Sequence, residues 1–194
     1  MTTLGLRGAL ALVAVLLGMP AAHAATVDRL DIERVGERYR MALSARLDSP
    51  ADMSFAVFRD YRNLPRINDA VERVELRDGA APGAQRLYTR IRICALSFCK
   101  HLDQVQDMKT SQSGAAHRVI AQVLPEFSNL RFGQAEWTLR ACDGERTCLH
   151  FESELEPDFW VPPLIGPWLI RRTMQREALQ TARGIERLAG GDLP

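Results

Sequence analysis

One change of period constrains this chain more than any other feature. Between Tyr39 and Leu155 apolar residues recur mostly at every second position, in short segments divided by turns and interrupted by one helical stretch. From Ile170 to Leu188 they recur at every third or fourth position. A period of two places side chains on alternate faces of a strand, whereas spacings of three and four gather them on one face of a helix. The two regimes are joined by Glu156-Pro157-Asp158-Phe159-Trp160-Val161-Pro162-Pro163-Leu164-Ile165-Gly166-Pro167-Trp168, which is stiff with prolines and rich in large rings. A half-buried sheet has one apolar face to cover, and one long helix is left to cover it.

The first alternating segment sets Tyr39, Met41, Leu43, Ala45 and Leu47 against Arg38, Arg40, Ser44 and Arg46. Asp48-Ser49-Pro50 then starts a helix, with Ser49 as its N-cap and Pro50 at its first position. Phe55, Phe58 and Tyr61 fall near one face of that helix. Asn63-Leu64-Pro65 ends it, and a short turn carries Ile67. Strands are expected over Val71–Leu76, Arg86–Cys94, Cys99–Met108, His117–Leu124, Gln134–Cys142 and Cys148–Leu155. Asp78–Gly83 and Asp143-Gly144 supply turns. Trp137 and Leu139 share a face, as do Leu149, Phe151 and Leu155. Consecutive strands without helices between them imply an antiparallel sheet. In the last helix Ile170, Met174, Ala178, Thr181, Ile185 and Leu188 form one stripe, and Gly190-Gly191 ends it. The whole is an α+β layout.

Residues 1–24 read as a signal peptide: Arg7 leads an apolar run, Gly8–Met19, and Ala22-His23-Ala24 offers a cleavage site before Ala25. The run is shorter than the roughly 20 residues of a bilayer span, which weighs against the alternative of a retained anchor. Residues 25–194 then form one domain, exported to a periplasm or secreted. Without Arg7 the 25 basic residues fall to 24 and balance the 24 acidic ones, so no nucleic-acid partner is expected.

Cys94, Cys99, Cys142 and Cys148 are spaced C-x4-C and C-x5-C, each pair inside an expected hairpin. In an oxidising compartment such cysteines form disulfides. Four allow three pairings, which sequence alone leaves open; closing each hairpin favours Cys94–Cys99 and Cys142–Cys148. A four-thiolate zinc site is the alternative, but structural zinc sites favour closer spacing. No metal or cofactor is expected.

The order of elements resembles the helix-grip superfamily of START-type lipid-transfer domains, Bet v 1-like proteins and bacterial polyketide cyclase/dehydrase proteins, over about residues 35–189. The anchors are Phe58-Arg59-Asp60-Tyr61-Arg62-Asn63-Leu64-Pro65-Arg66-Ile67-Asn68 and Trp137-Thr138-Leu139; the first is similar to the coenzyme Q-binding branch. The resemblance implies a curved antiparallel sheet wrapped around a long C-terminal helix, short helices after the first strand, and an apolar pocket between sheet and helix. The chain departs from cytosolic relatives in its signal peptide and paired cysteines. With only two glycines, Asp78–Gly83 implies no phosphate-cradling loop.

Chemistry-bearing residues are scattered. His101, His117 and His150 sit in separate strands with no H-x-H or H-x-x-H, and read as surface or strand-face histidines. No G-x-S-x-G is present, and Ser97, Ser128 and Ser153 have no evident partner. Arg90 and Arg92 share a strand face with Tyr88 and could polarise a carbonyl if that face were concave; Ile91 and Ile93 opposite favour solvent exposure for them. Glu152 and Glu154 read as a solvated stripe. The expected activity is therefore binding of a hydrophobic small molecule: a lipid, an isoprenoid quinone or a polyketide-like compound. Phe55, Phe58, Tyr61 and Ile67 are expected in the cavity, with Trp137, Leu139 and Phe151 from the sheet and Ile170 and Met174 from the last helix. Phe159, Trp160 and Trp168 are expected at a mouth that touches a membrane transiently; the alternative is that these rings pack inward. Two further alternatives are a cyclase or dehydrase using pocket Arg and Tyr groups, and an interaction module with a filled core.

Overall fold

The computed structural model describes residues 25–95, 98–161 and 164–190; the expected signal peptide lies outside them. In chain order the elements are β1 (Thr26–Val35), β2 (Arg38–Leu47), α1 (Ala51–Arg59), a 3-10 turn (Tyr61–Asn63), α2 (Leu64–Ile67), β3 (Val71–Arg77), β4 (Ala84–Ala95), β5 (Phe98–Ser113), β6 (Ala116–Val123), a second 3-10 turn (Pro125–Phe127), β7 (Leu130–Cys142), β8 (Arg146–Pro157) and α3 (Gly166–Ala189). The strands form one curved antiparallel sheet ordered β1-β2-β8-β7-β6-β5-β4-β3. Among the described strands, consecutive ones are neighbours in the sheet except β2 and β3, and α1 and α2 lie between these two in the chain. The α+β layout expected from the alternation is the one observed.

Alternation settles which side of each strand faces inward. Tyr39, Met41, Leu43, Ala45 and Leu47 of β2 are all buried, while Arg38, Arg40 and Arg46 face out toward carboxylates. Tight turns hold the hairpins: in the three-residue loop 143–145 between β7 and β8, Asp143 and Gly144 both adopt positive φ, of 37° and 80°. Each expected disulfide is present, Cys94–Cys99 and Cys142–Cys148, so among the described residues no free thiol remains for the zinc alternative. Closing loops this short stabilises by only roughly 2 kcal/mol each, so the bridges pin hairpin ends.

Two expectations need correction. β1 was not anticipated, because its apolar residues Val27, Leu30 and Ile32 break the period of two. A bulge between Val27 and Arg29 shifts the register and lets all three pack against the cluster of Tyr39, Met41 and Leu43. Ser49 is not the N-cap of α1. Pro50 occupies that position, and its carbonyl accepts from Ser54 N at 2.9 Å. Ser49 is buried instead, its hydroxyl 2.8 Å from that of Ser54, while Thr147 donates to its carbonyl at 2.6 Å. A buried hydroxyl satisfied inside the protein is a better outcome than one spent on a cap.

The helix α3 is clamped at its C-terminal half. Ala182 and Ile185 enter the main core with Leu47, Phe58, Leu87 and Leu139. Buried Glu186 accepts a hydrogen bond from Asp48 N at 2.7 Å, tying the helix to the end of β2. At Gly184 the backbones come so close that a Cβ would collide with the carbonyl of Ile67 in α2. Gly184→Ala should therefore destabilise. The gain in helix propensity, about 1 kcal/mol, is outweighed because backbone must move, and overpacking costs about 1–3 kcal/mol. Urea unfolding checks this; an unchanged midpoint would mean that the helix does not depend on this approach.

Candidate functional site

The interior is not one core. Beside the main cluster lie a second of Tyr39, Met41, Leu43, Met174 and Ala178, and a third of Leu102, Val123 and Leu130. A cavity of about 270 Å³ adjoins all of them under the middle of α3, from Thr173 to Ala182, slightly below the roughly 300–1,000 Å³ of small-molecule sites. All three clusters contribute to its wall.

One side of the cavity is aromatic. Phe58 and Trp137 have ring centroids 5.1 Å apart, and Trp137 and Phe151 are 4.8 Å apart, forming a continuous wall from α1 across β7 and β8. The opposite side is partly polar: Thr89 of β4 is the cross-strand partner of Gln104 of β5, and Gln106 follows on the same face. Above them α3 presents Thr173, Glu177 and Thr181, one turn apart. Asn68 donates to Thr181 Oγ1 at 3.2 Å and to the Glu177 carbonyl at 3.4 Å.

The expected site residues divide between this cavity and its surroundings. Phe58, Tyr61, Ile67, Trp137, Phe151 and Met174 line it. Phe55 lies outside the wall, stacked on His117 with centroids 4.1 Å apart, because the helix turns it toward β6. Leu139 is wholly buried in the main core. Ile170 packs beside the second cluster and Phe159 beside the third, with Lys100 Nζ 3.7 Å above the Phe159 ring. Trp160 and Trp168 are 78% and 53% exposed, and with Leu164 at 94% and Ile165 at 55% they make a solvent-facing apolar patch. Inward packing of the two tryptophans is thus not what is observed. Arg172 lies over the Trp168 ring at 5.5 Å, and no helix among the described residues is long and apolar enough to cross a membrane.

Arg90 and Arg92 face away from the cavity. Arg90 donates to Asp103 at 2.8 Å and Arg92 pairs with Glu72 at 3.2 Å, while Ile91 and Ile93 line the wall. Tyr88 donates to the same Asp103, which raises the Tyr88 phenol above its ordinary value; the Arg90 hydrogen bond holds Asp103 below the usual carboxylate range. The cyclase alternative thereby loses the guanidiniums assigned to it. Glu154 pairs with Arg38 and Arg40 on the outer face. A larger hollow of about 740 Å³ opens there, lined by Arg29, Glu33, Arg40 and Glu136 among others, too polar for an apolar ligand. His150 and His101 are exposed. His117 is buried, with Nε2 2.7 Å from Asp52 Oδ1.

Sequence reasoning missed Gln104 and Gln106. They lie between Leu102 and Met108 on the same inward face, and polar residues at inward positions were the available signal.

A curved antiparallel sheet gripping a long C-terminal helix above an apolar cavity is the helix-grip fold of START-type proteins. The chain resembles the Zhui aromatase/cyclase from Streptomyces sp. R1128 at a TM-score of 0.66 and 14% identity, over 79% of this chain and 94% of that one. Human STARD10 superposes at 0.60 with 10% identity, over 84% and 75%. A STAR-related lipid transfer protein from Xanthomonas axonopodis superposes at 0.57 with 18% identity, over 82% and 99%. Such identities establish a shared fold. No protein-family model and no curated protein sequence matches the chain.

Burial pushes the Tyr61 phenol up to about 12, from an ordinary 10.0. Its protonated form is thus favoured by folding, giving stability that is complete below 10.0 and lost as pH rises from there through about 12. Tyr61→Phe should flatten stability across that interval, and ultraviolet difference titration against the parent should place the missing ionisation near the upper end. An ionisation at the ordinary value would mean that Tyr61 is solvated.

Proposed function

We propose that this chain is an exported carrier that binds one hydrophobic small molecule, a lipid, isoprenoid quinone or polyketide-like compound, in the cavity beneath α3. The observation that carries this reading is the division of the core into three apolar clusters around an unfilled space. A hollow of this kind forfeits packing contacts, and an apolar ligand restores them while removing its own surface from water, at roughly 25 cal/mol per Å². The fold-level likeness to lipid-transfer and aromatase/cyclase structures supports the ligand kind. The leader-like residues 1–24 and the two disulfides support export to a periplasm or to the medium.

Met174 lines the cavity from α3, so a larger side chain there fills it. Native mass spectrometry of protein purified from an exporting host should reveal a stoichiometric apolar adduct that is released on denaturation and absent from a folded Met174→Trp variant. Ala178→Leu serves as a second plug. An adduct undiminished in both folded variants would remove the cavity from the binding site.

The segment Phe159–Trp168 is the proposed mouth. Exposed tryptophans beside Arg171 and Arg172 suit the membrane interface, where ring and cation each find a favourable layer. Joint replacement Trp160→Ala and Trp168→Ala should lower liposome association and slow ligand transfer at least several-fold, while leaving equilibrium affinity for a soluble apolar probe unchanged. Unaltered transfer would dispose of the membrane-touching mouth.

A further inference from the structure

The cavity wall contains polar groups that the protein leaves unanswered. Tyr61 Oη, Thr89 Oγ1 and Glu177 Oε2 are buried without a hydrogen-bond partner among the described residues, and all three residues line the cavity. Tyr61 and Thr89 are 3% and 2% exposed. More than about nine-tenths of buried polar groups in folded proteins are hydrogen-bonded; of six exceptions among the described residues, three belong to residues of this one cavity, where a ligand can supply the missing partner.

The kind of partner follows from the donor and acceptor inventory. A carboxylate oxygen only accepts, so Glu177 Oε2 requires a donor; its other oxygen is already held by Arg176 at 2.9 Å. The hydroxyls of Thr89 and Tyr61 can each donate as well as accept, and burial keeps the Tyr61 phenol protonated. A hydroxyl group matches this set, since it donates to Glu177 and accepts from a neighbour. An anionic headgroup does not: among the described residues no Lys or Arg lines the cavity to pair with it, and the Glu177 carboxylate opposes it. The aromatic wall of Phe58, Trp137 and Phe151 on the far side receives the apolar body.

We infer that the ligand is an uncharged apolar molecule bearing a hydroxyl group, seated with that hydroxyl at Glu177 and Thr89 and its apolar body against the Trp137 wall. This rests on the proposed binding of a hydrophobic molecule in the same cavity, and it excludes fatty acids and phospholipids as ligands. The small volume likewise selects a compact ring system over a two-chain lipid.

Four probes with one apolar body separate the possibilities: 2-naphthol, 2-methoxynaphthalene, 2-naphthoate and 2-naphthylmethylamine, titrated by calorimetry at neutral pH against the mature protein. The naphthol should bind about tenfold or more tightly than the methyl ether, which keeps the acceptor and loses the donor. The naphthoate should bind more weakly than the ether. Glu177→Leu should erase the naphthol's advantage while leaving the affinity for the ether within about twofold, and Thr89→Val should reduce it; circular dichroism confirms that both variants fold. Equal binding of naphthol and ether overturns the inference, leaving the cavity as a purely apolar site whose polar groups water satisfies. Tighter binding of the naphthoate or of the ammonium overturns it in favour of a charged ligand. Failure of both naphthol and ether to bind instead removes the hydrophobic-carrier reading on which the inference rests.

Discussion

Gly184 lets α3 approach the Ile67 carbonyl more closely than any side chain would permit, and the rest of the interior follows from that approach. With the helix clamped there, Ala182 and Ile185 complete a dense core with Leu47, Leu87 and Leu139. Glu186 fastens the same turn to the start of the β2–α1 connection through Asp48 N. A rigid helix pinned at one end cannot also follow a curved sheet along its whole length. Its middle turns therefore span a hollow, with Met174 and Ala178 packed toward the β2 side. The protein has a closed end that supplies stability and an open end that gives it room for a ligand.

The two faces of the sheet divide the electrostatics as sharply as the two ends divide the packing. Outside, arginines meet carboxylates strand by strand, as in Arg46–Asp28, Arg118–Glu136 and Arg131–Asp158. Exposed pairs of this kind contribute little stability, typically about 0–1 kcal/mol each, but they keep the outer surface solvated and leave no reason for those charges to turn inward. Inside, the polar residues of the cavity wall are mostly neutral: Thr89, Gln104 and Gln106 stand on β4 and β5, while Gln134 and Ser153 share β7 and β8 with the aromatic residues.

Much of the fold was legible because its signals are local. The alternation of β2 predicted its buried face residue by residue, and Asp143-Gly144 marked a hairpin. The opposed Ile91 and Ile93 pointed Arg90 and Arg92 outward, where they are found. Failures occurred where a long-range contact overrode a local rule. The bulge in β1 restores a face that the spacing of Val27 and Leu30 seems to break, and it exists only in the pairing with β2. Ser49 carries the features of an N-cap but is taken into a hydroxyl cluster with Ser54 and Thr147, a residue far along the chain. Phe55 has the helical spacing of a cavity residue, yet it stacks on His117 because β6 passes beside α1.

The sequence by itself determined the period of every segment but β1, and with it the antiparallel sheet, the single closing helix and the apolar stripe between them. It also placed the paired cysteines within hairpins short enough for each pair to close. Only the tertiary structure decided that the interior is hollow, that six of the expected side chains line the hollow while Leu139 and Phe55 pack elsewhere, and that Tyr61, Thr89 and Glu177 share its wall. Periodicity reports which face a side chain occupies, and that is a property of a few neighbouring residues. A cavity depends on how far apart two faces are held, and that distance is set by one close contact between α2 and α3, more than a hundred residues apart in the chain.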